Sequence, residues 1–309
     1  MASLPERGER ALGEEGALTE AAPAKVNLDL LVTARRLDGY HELDSIVVFA
    51  PVGDLVRFEP AEGGLGGLEL AVEGPFATDV PADGGNLVLR AAELFQRRTG
   101  AAVAGRLVLE KRLPVGAGLG GGSSDAAATL RLLDRACRTN LGNGRLRDLG
   151  AELGADVPVC VYGQSVRMRG LGERLDPIRG LPDLPLVLVN PGVHVATPAV
   201  FRALTELGEE RDGGMVPHPG PRVLASFLAE SRNDLEPAAI GLAPVIDKVL
   251  QSLRVLDGCA LARMSGSGAT CFGLFPEEAQ AVRAAQILRQ AVPGWWVEAV
   301  VVRGEKPGR

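Results

Sequence analysis

Between Leu113 and Asp125 the chain places five glycines in seven positions, then two hydroxyls and a carboxylate. The residues that could hold a ligand are Pro114, Val115, Gly116, Ala117, Gly118, Leu119, Gly120, Gly121, Gly122, Ser123 and Ser124. Glycine tolerates positive φ and lets backbone approach a ligand closely. The apolar run Ala126–Leu130 behind the loop predicts a helix. Its first N–H groups and the positive end of its dipole would point back at the loop. That combination makes an anion site, and phosphate is the usual anion.

Three kinds of loop fit a glycine run. A Walker loop needs Lys after its last glycine, and here Ser123-Ser124 follow Gly122. Gly116-x-Gly118-x-x-Gly121 matches the dinucleotide fingerprint, but that site wants a second strand ending in an acidic residue about 20 residues on. The segment beyond Leu130 reads as helix instead, with Asp134 inside it. A ligand-free loop would cost backbone entropy with no packing return.

Other residues could do chemistry on a phosphate. Lys25 sits between Ala24 and Val26 at a strand start. It is either an amphipathic side chain reaching for water or a functional cation. Asp156 lies between a helix end at Gly154 and the rigid Pro158, as a turn carboxylate or a base. Tyr40 and His41 follow Gly39 in a chain with only two tyrosines and three histidines; they are an exposed loop pair or a binding pair. Ser123 and Ser124 can cap the helix behind the loop. Asp125 reads as a helix N-terminal charge rather than a metal ligand. The four cysteines form no C-x-x-C, which argues against zinc and for free thiols in a reducing cytoplasm.

The elements that must position these residues follow from periodicity and breakers. Strands are predicted at Val26–Thr33, Ser45–Pro51, Leu55–Glu59, Leu68–Val72 and Arg106–Lys111. Asn86 should cap a helix with Leu87, Ala91, Leu94 and Phe95 on one face. A helix around Leu146–Leu153 should stop at Gly154, with Pro158 forbidding continuation. In the second half, Thr197 reads as an N-cap with Pro198 at the first helical position. Strands at Leu186–Asn190, Cys259–Met264, Thr270–Phe275 and Trp296–Val302, with helices at Val245–Leu253 and Glu277–Ala291, give a β-α-β-β-α-β order, the split-βαβ or ferredoxin-like pattern. Met1–Glu20 reads as a disordered tail without a signal-peptide core, and Gly208–Pro221 as a mobile loop. The chain has 309 residues, 46% hydrophobic and 23% charged, enough for about two soluble globular domains. A net charge of -6 argues against nucleic acid as a partner, and no stretch approaches a membrane span.

Pro114-x-Gly116-x-Gly118-Leu119-Gly120-Gly121-Gly122-Ser123-Ser124 resembles the ATP-phosphate motif of the GHMP kinases. Ala22-Pro23-Ala24-Lys25-Val26-Asn27-Leu28 resembles that family's first motif, and Met264-Ser265-Gly266-Ser267-Gly268-Ala269-Thr270-Cys271-Phe272 its third. The resemblance implies an α+β fold of two domains: 21–165, ribosomal protein S5 domain 2-like and ATP-binding, and 166–305, ferredoxin-like. It implies Asp156 as general base, Lys25 as its electrostatic partner, and ATP with Mg²⁺, one loop serine helping to hold the metal. Ser265, Gly266, Ser267 and Gly268, otherwise an ordinary hairpin turn, would close the site floor. The segments Arg36–Leu43, Leu153–Val159 and Asn190–Phe201 resemble the branch acting on a cytidine-diphosphate-linked methylerythritol. There Tyr40 and Phe201 would sandwich the cytosine and His41 would bond its edge. Asn27 would bind near the reacting hydroxyl, and Thr197 would hold the nucleotide side. Kinases of the same fold acting on mevalonate, homoserine or a sugar need no aromatic sandwich; a silent nucleotide-binding module would need neither Lys25 nor Asp156. The implied enzyme is cytoplasmic, with a small-molecule substrate, as a monomer or weak homodimer.

Overall fold

The computed structural model describes residues 18–61, 66–208 and 220–304. In chain order the strands are β1 (Leu18–Asn27), β2 (Leu31–Arg35), β3 (His41–Pro60), β4 (Leu68–Glu73), β5 (Gly105–Glu110), β6 (Val166–Gly170), β7 (Arg174–Pro177), β8 (Leu184–Asn190), β9 (Leu261–Met264), β10 (Cys271–Leu274) and β11 (Trp296–Val302). The helices are α1 (Leu87–Thr99), α2 (Gly121–Ala136), α3 (Gly142–Leu153), α4 (Val157–Tyr162), α5 (Thr197–Arg202), α6 (Pro221–Ala229), α7 (Glu236–Leu242), α8 (Val245–Arg254) and α9 (Glu278–Ala291).

The chain forms two compact units that interleave in sequence. Unit 1 takes 1–24, 52–115 and 120–163; unit 2 takes 25–51, 116–119 and 164–309. The units do not divide the chain at a single point, because β1, β3 and the glycine loop each pass from one unit into the other.

In unit 1, β4 pairs parallel with β5, and β5 pairs antiparallel with the second half of β3. Asn86 caps α1 as expected: its Oδ1 accepts from Val88 N at 2.9 Å. Helix α2 buries Ala126, Leu130 and Leu133 on one face, the two leucines worth about 1.5–3 kcal/mol each on the usual area scale. In unit 2, the first half of β3 pairs with β2 and β6. The second sheet of that unit runs β11-β8-β10-β9, antiparallel throughout. That is the strand order of a ferredoxin-like split βαβ, with α8 packed on β9 and β10 and α9 on β8, whose seven residues are all buried.

Several expectations change. The strand Val26–Thr33 is two strands, because the chain turns at Leu28–Leu30, where the buried Asp29 carboxylate takes the N–H of Ile46. The strands at Ser45–Pro51 and Leu55–Glu59 are one strand, β3. Pro51-Val52-Gly53 looks like a turn, yet a Cβ on Gly53 would stand 2.2 Å from Ala22 O, so glycine here lets β1 lie close and the strand runs on. Pro158 stops α3 from continuing and opens α4, where a proline in the first turn loses nothing. Strand β9 starts at Leu261 rather than Cys259. Strand β7 and helices α6 and α7 lacked a readable period. Leu18–Glu20 belong to β1, and Glu20 pairs with Arg131 and Arg135. The remainder of the expected tail and residues 209–219 of the expected loop lie outside the described residues.

Candidate active site

Unit 2 ties three motif segments together. Lys25 N donates to Leu119 O at 2.8 Å and Thr270 N to Ala117 O at 3.0 Å. Ser265 Oγ donates to Gly118 O and accepts from Asn27 N, both at 3.1 Å. Gly118 has φ +73°, and a Cβ there would stand 2.5 Å from Ser265 O and 2.7 Å from Gly268 O, so only glycine lets the loop lie on this turn. Gly116, at φ +63°, leaves room for the imidazole of His194. Thr197 Oγ1 and Ser267 Oγ share a hydrogen bond of 2.7 Å. Thr197 is therefore not the N-cap of α5; Ala196 is, and the Thr197 hydroxyl serves the glycine turn.

Lys25 is buried, which excludes a side chain reaching for solvent, and its ammonium donates to Asn27 Oδ1 at 2.9 Å. Asn233 and Glu236 were not foreseen. Asn233 Nδ2 donates to Met264 O (2.9 Å) and Gly266 O (2.8 Å), and Glu236 Oε2 accepts from Met264 N (2.9 Å). They set the backbone of the third motif, but they sit in an aperiodic stretch that carries no sequence signal. His41 starts β3 and stacks on Phe201, centroids 4.9 Å apart and planes at 28°. Burial, with Arg35 nearby, lowers the His41 pKa, which favours a neutral ring able to donate and accept. Tyr40 is outside that contact, 61% exposed in the turn before β3.

Unit 1 carries Pro114, Val115, Gly120, Gly121, Gly122, Ser123, Ser124 and Asp156. Gly120, at φ +62°, is the N-cap of α2 and offers no side chain to its first N–H groups. Neither serine caps the helix as expected. The Ser124 hydroxyl donates to Pro23 O at 2.7 Å, leaving the partly exposed Ser123 as the loop hydroxyl available to a ligand. Asp156 is the N-cap residue of α4, but its carboxylate does not cap that helix. The other end of α4 is held by Arg131, which donates to Cys160 O (2.9 Å), Ala21 O (3.2 Å) and Glu20 (2.6 Å).

Behind the opening of α2 lies a buried ionic cluster that sequence reasoning also missed. Lys111 Nζ bonds Asp54 and, at 2.8 Å, Asp125. Asp54 Oδ1 accepts from Arg112 N (2.6 Å) and Leu113 N (2.8 Å), which sets the entry to the glycine loop. Burial pulls the Lys111 pKa down, but the charges of Asp125 and Asp54 outweigh it and raise the ammonium above its usual range. Burial, opposed by Lys111 and aided by Asp54, pushes the Asp125 carboxyl up to about 8. Asp125 is thus a buried member of this cluster rather than a surface charge at the helix start. A Cβ on Gly121 would stand 3.1 Å from Lys111 Nζ, so the loop rests on the cluster.

An uncapped helix start behind positive-φ glycines fits the phosphates of ATP. Among the described residues no group of three or more His, Cys, Asp or Glu side chains could hold a metal ion. No helix among the described residues is long and apolar enough to cross a membrane.

Comparison with known proteins names this arrangement. The GHMP kinases N terminal domain matches residues 86–164 and the GHMP kinases C terminal domain residues 222–294. A 4-diphosphocytidyl-2-C-methyl-D-erythritol kinase of Cereibacter sphaeroides is 52% identical over 296 residues, covering 93% of this chain and 100% of its own. The chain belongs to the 4-diphosphocytidyl-2-C-methyl-D-erythritol kinase family. A second member, from Dinoroseobacter shibae, is 53% identical over 91% of this chain and 94% of its own. A crystal structure of 4-(cytidine 5'-diphospho)-2C-methyl-D-erythritol kinase superposes with a TM-score of 0.73 at 37% identity, covering 93% of this chain and 100% of the other. The α+β fold and the GHMP kinase assignment drawn from the three motifs therefore stand, and a silent nucleotide-binding module is set aside with them.

Proposed function

We propose that this kinase transfers the γ-phosphoryl group of ATP to the C2 hydroxyl of 4-diphosphocytidyl-2-C-methyl-D-erythritol, giving the 2-phosphate and ADP in the methylerythritol phosphate route to isoprenoid precursors. The observation that carries this is the bonding of Lys25-Asn27, Gly116–Leu119 and Ser265–Thr270 to one another, in a chain half identical to kinases of that name.

Phosphoryl transfer asks the protein for positioning and charge more than covalent chemistry. The bridging P–O bond to ADP breaks, a P–O bond to the acceptor oxygen forms, and the hydroxyl proton passes to Asp156. Lys25 supplies positive charge for the developing alkoxide or the phosphoryl group. The loop from Pro114 to Ser124 cradles the phosphates, with Ser265–Gly268 as the floor beneath it. Mg²⁺ would neutralise phosphate charge, with the Ser123 hydroxyl as the loop group nearest in type to a ligand. Tyr40 and Phe201 stack on the cytosine and His41 bonds its edge, while Asn27 binds near the reacting hydroxyl and Thr197 helps hold the nucleotide side. The neutral His41 ring supports this, since it can meet both a donor and an acceptor on a base edge. The reading carries a cytoplasmic enzyme, monomeric or weakly dimeric, with its ATP-binding domain over 21–165 and its ferredoxin-like domain over 166–305.

Asp156→Asn tests the chemistry. A lost general base lowers kcat by about 10²–10⁴ with ATP affinity unchanged; near wild-type turnover would remove Asp156 from that role.

A further inference from the structure

We propose that Ser45, a fully buried residue of β3, is a positioning residue that orients Asn27 and through it Lys25; this rests on the role given to Lys25 above. The Ser45 hydroxyl has one hydrogen to give. It stands 2.5 Å from Asp29 O, a carbonyl that can only accept, so the hydrogen points there. Its lone pairs then face Asn27, 2.7 Å away, and accept only from the amide nitrogen. The Asn27 amide is left one orientation: Nδ2 on Ser45 and Oδ1 on the Lys25 ammonium at 2.9 Å. Turned over, it would set two donors against each other at Lys25 and two acceptors at Ser45. The chain of polarity is anchored beyond Ser45, because Asp29 takes Ile46 N at 2.8 Å and Ser231 Oγ at 2.9 Å. Lys25 and Asn27 are themselves buried, so water does not substitute freely for the missing partner.

Removing the hydroxyl leaves the amide held only at its Lys25 end, so the acceptor that fixes the ammonium loses its second anchor. Hydrogen bonds to charged groups are among the stronger ones, so loosening this one should lower kcat about tenfold. The test is a double-mutant cycle on the full chain with Ser45→Ala, Lys25→Met and both together, reading kcat and the KM for ATP and for the acceptor. The expected result is a kcat about tenfold lower for Ser45→Ala with both KM values within about twofold. In the Lys25→Met background the same change should alter kcat by less than about twofold, since partners in one network are not additive. Equal losses in both backgrounds, or a loss confined to KM, would overturn the proposal while leaving Lys25 its role. Lys25→Met with wild-type kcat would instead remove the role of Lys25, and the proposal with it. If Ser45→Ala does not fold, Ser45→Cys keeps the side chain's place with a weak hydrogen-bonding group and carries the same cycle.

Discussion

Replacing Asp125 by Asn should flatten the dependence of stability on pH. Asp125 lies between Lys111 and Asp54, and its carboxyl titrates at about 8 in the folded chain against 3.8 when free. Between those values the folded protein holds a proton that the unfolded chain has released. Raising the pH therefore favours unfolding, by up to about 1.4 kcal/mol per pH unit for one group. From pH 6 to pH 9 a carboxyl of this kind accounts for a loss of about 3 kcal/mol. The contribution is fully present in acid and gone once the pH passes about 8. Asn resembles the protonated acid: it keeps an acceptor for Lys111 and a donor for Asp54, and it does not titrate. Urea unfolding of both proteins at pH 6, 7, 8 and 9 gives the comparison, with other titrating groups common to the two. The wild type should lose about 3 kcal/mol more than Asp125→Asn over that range. Parallel curves would refute the cluster as described.

Two further outcomes follow from the site. Gly118→Ala places a Cβ 2.5 Å from Ser265 O at a φ of +73°; backbone strain there costs on the order of 1–3 kcal/mol, and thermal melting with an ATP titration should show lower Tm and raised KM for ATP. Tyr40→Ala should raise the acceptor KM about tenfold or more, given about 1–3 kcal/mol for stacking a base, with KM for ATP unchanged; an effect on ATP alone would refute the stacking role.

Much of this molecule was legible from residue types. The ferredoxin-like order followed from short apolar strands alternating with amphipathic helices, and Asn86 announced its cap. The three motifs stood in order, and unit 2 bonds their segments together. What stayed hidden was what only tertiary contact decides. Pro51-Val52-Gly53 has turn residues, yet the strand continues because β1 needs the space beside Gly53. Thr197 and Ser124 have the chemistry of caps, but Ser267 and the Pro23 carbonyl claim their hydroxyls. Asp54, Lys111 and Asp125 are ordinary charges in sequence, 57 and 14 residues apart, and become one buried cluster only when β3, β5 and α2 meet. Asn233 is equally silent until it closes on the third motif.

The acceptor decides the central claim. Purified full-length protein with ATP and Mg²⁺ should release ADP with 4-diphosphocytidyl-2-C-methyl-D-erythritol, and the product should carry its new phosphate on C2. Mevalonate, homoserine and galactose should give only background. ADP release that follows one of those acceptors, and not the cytidine compound, would contradict the account.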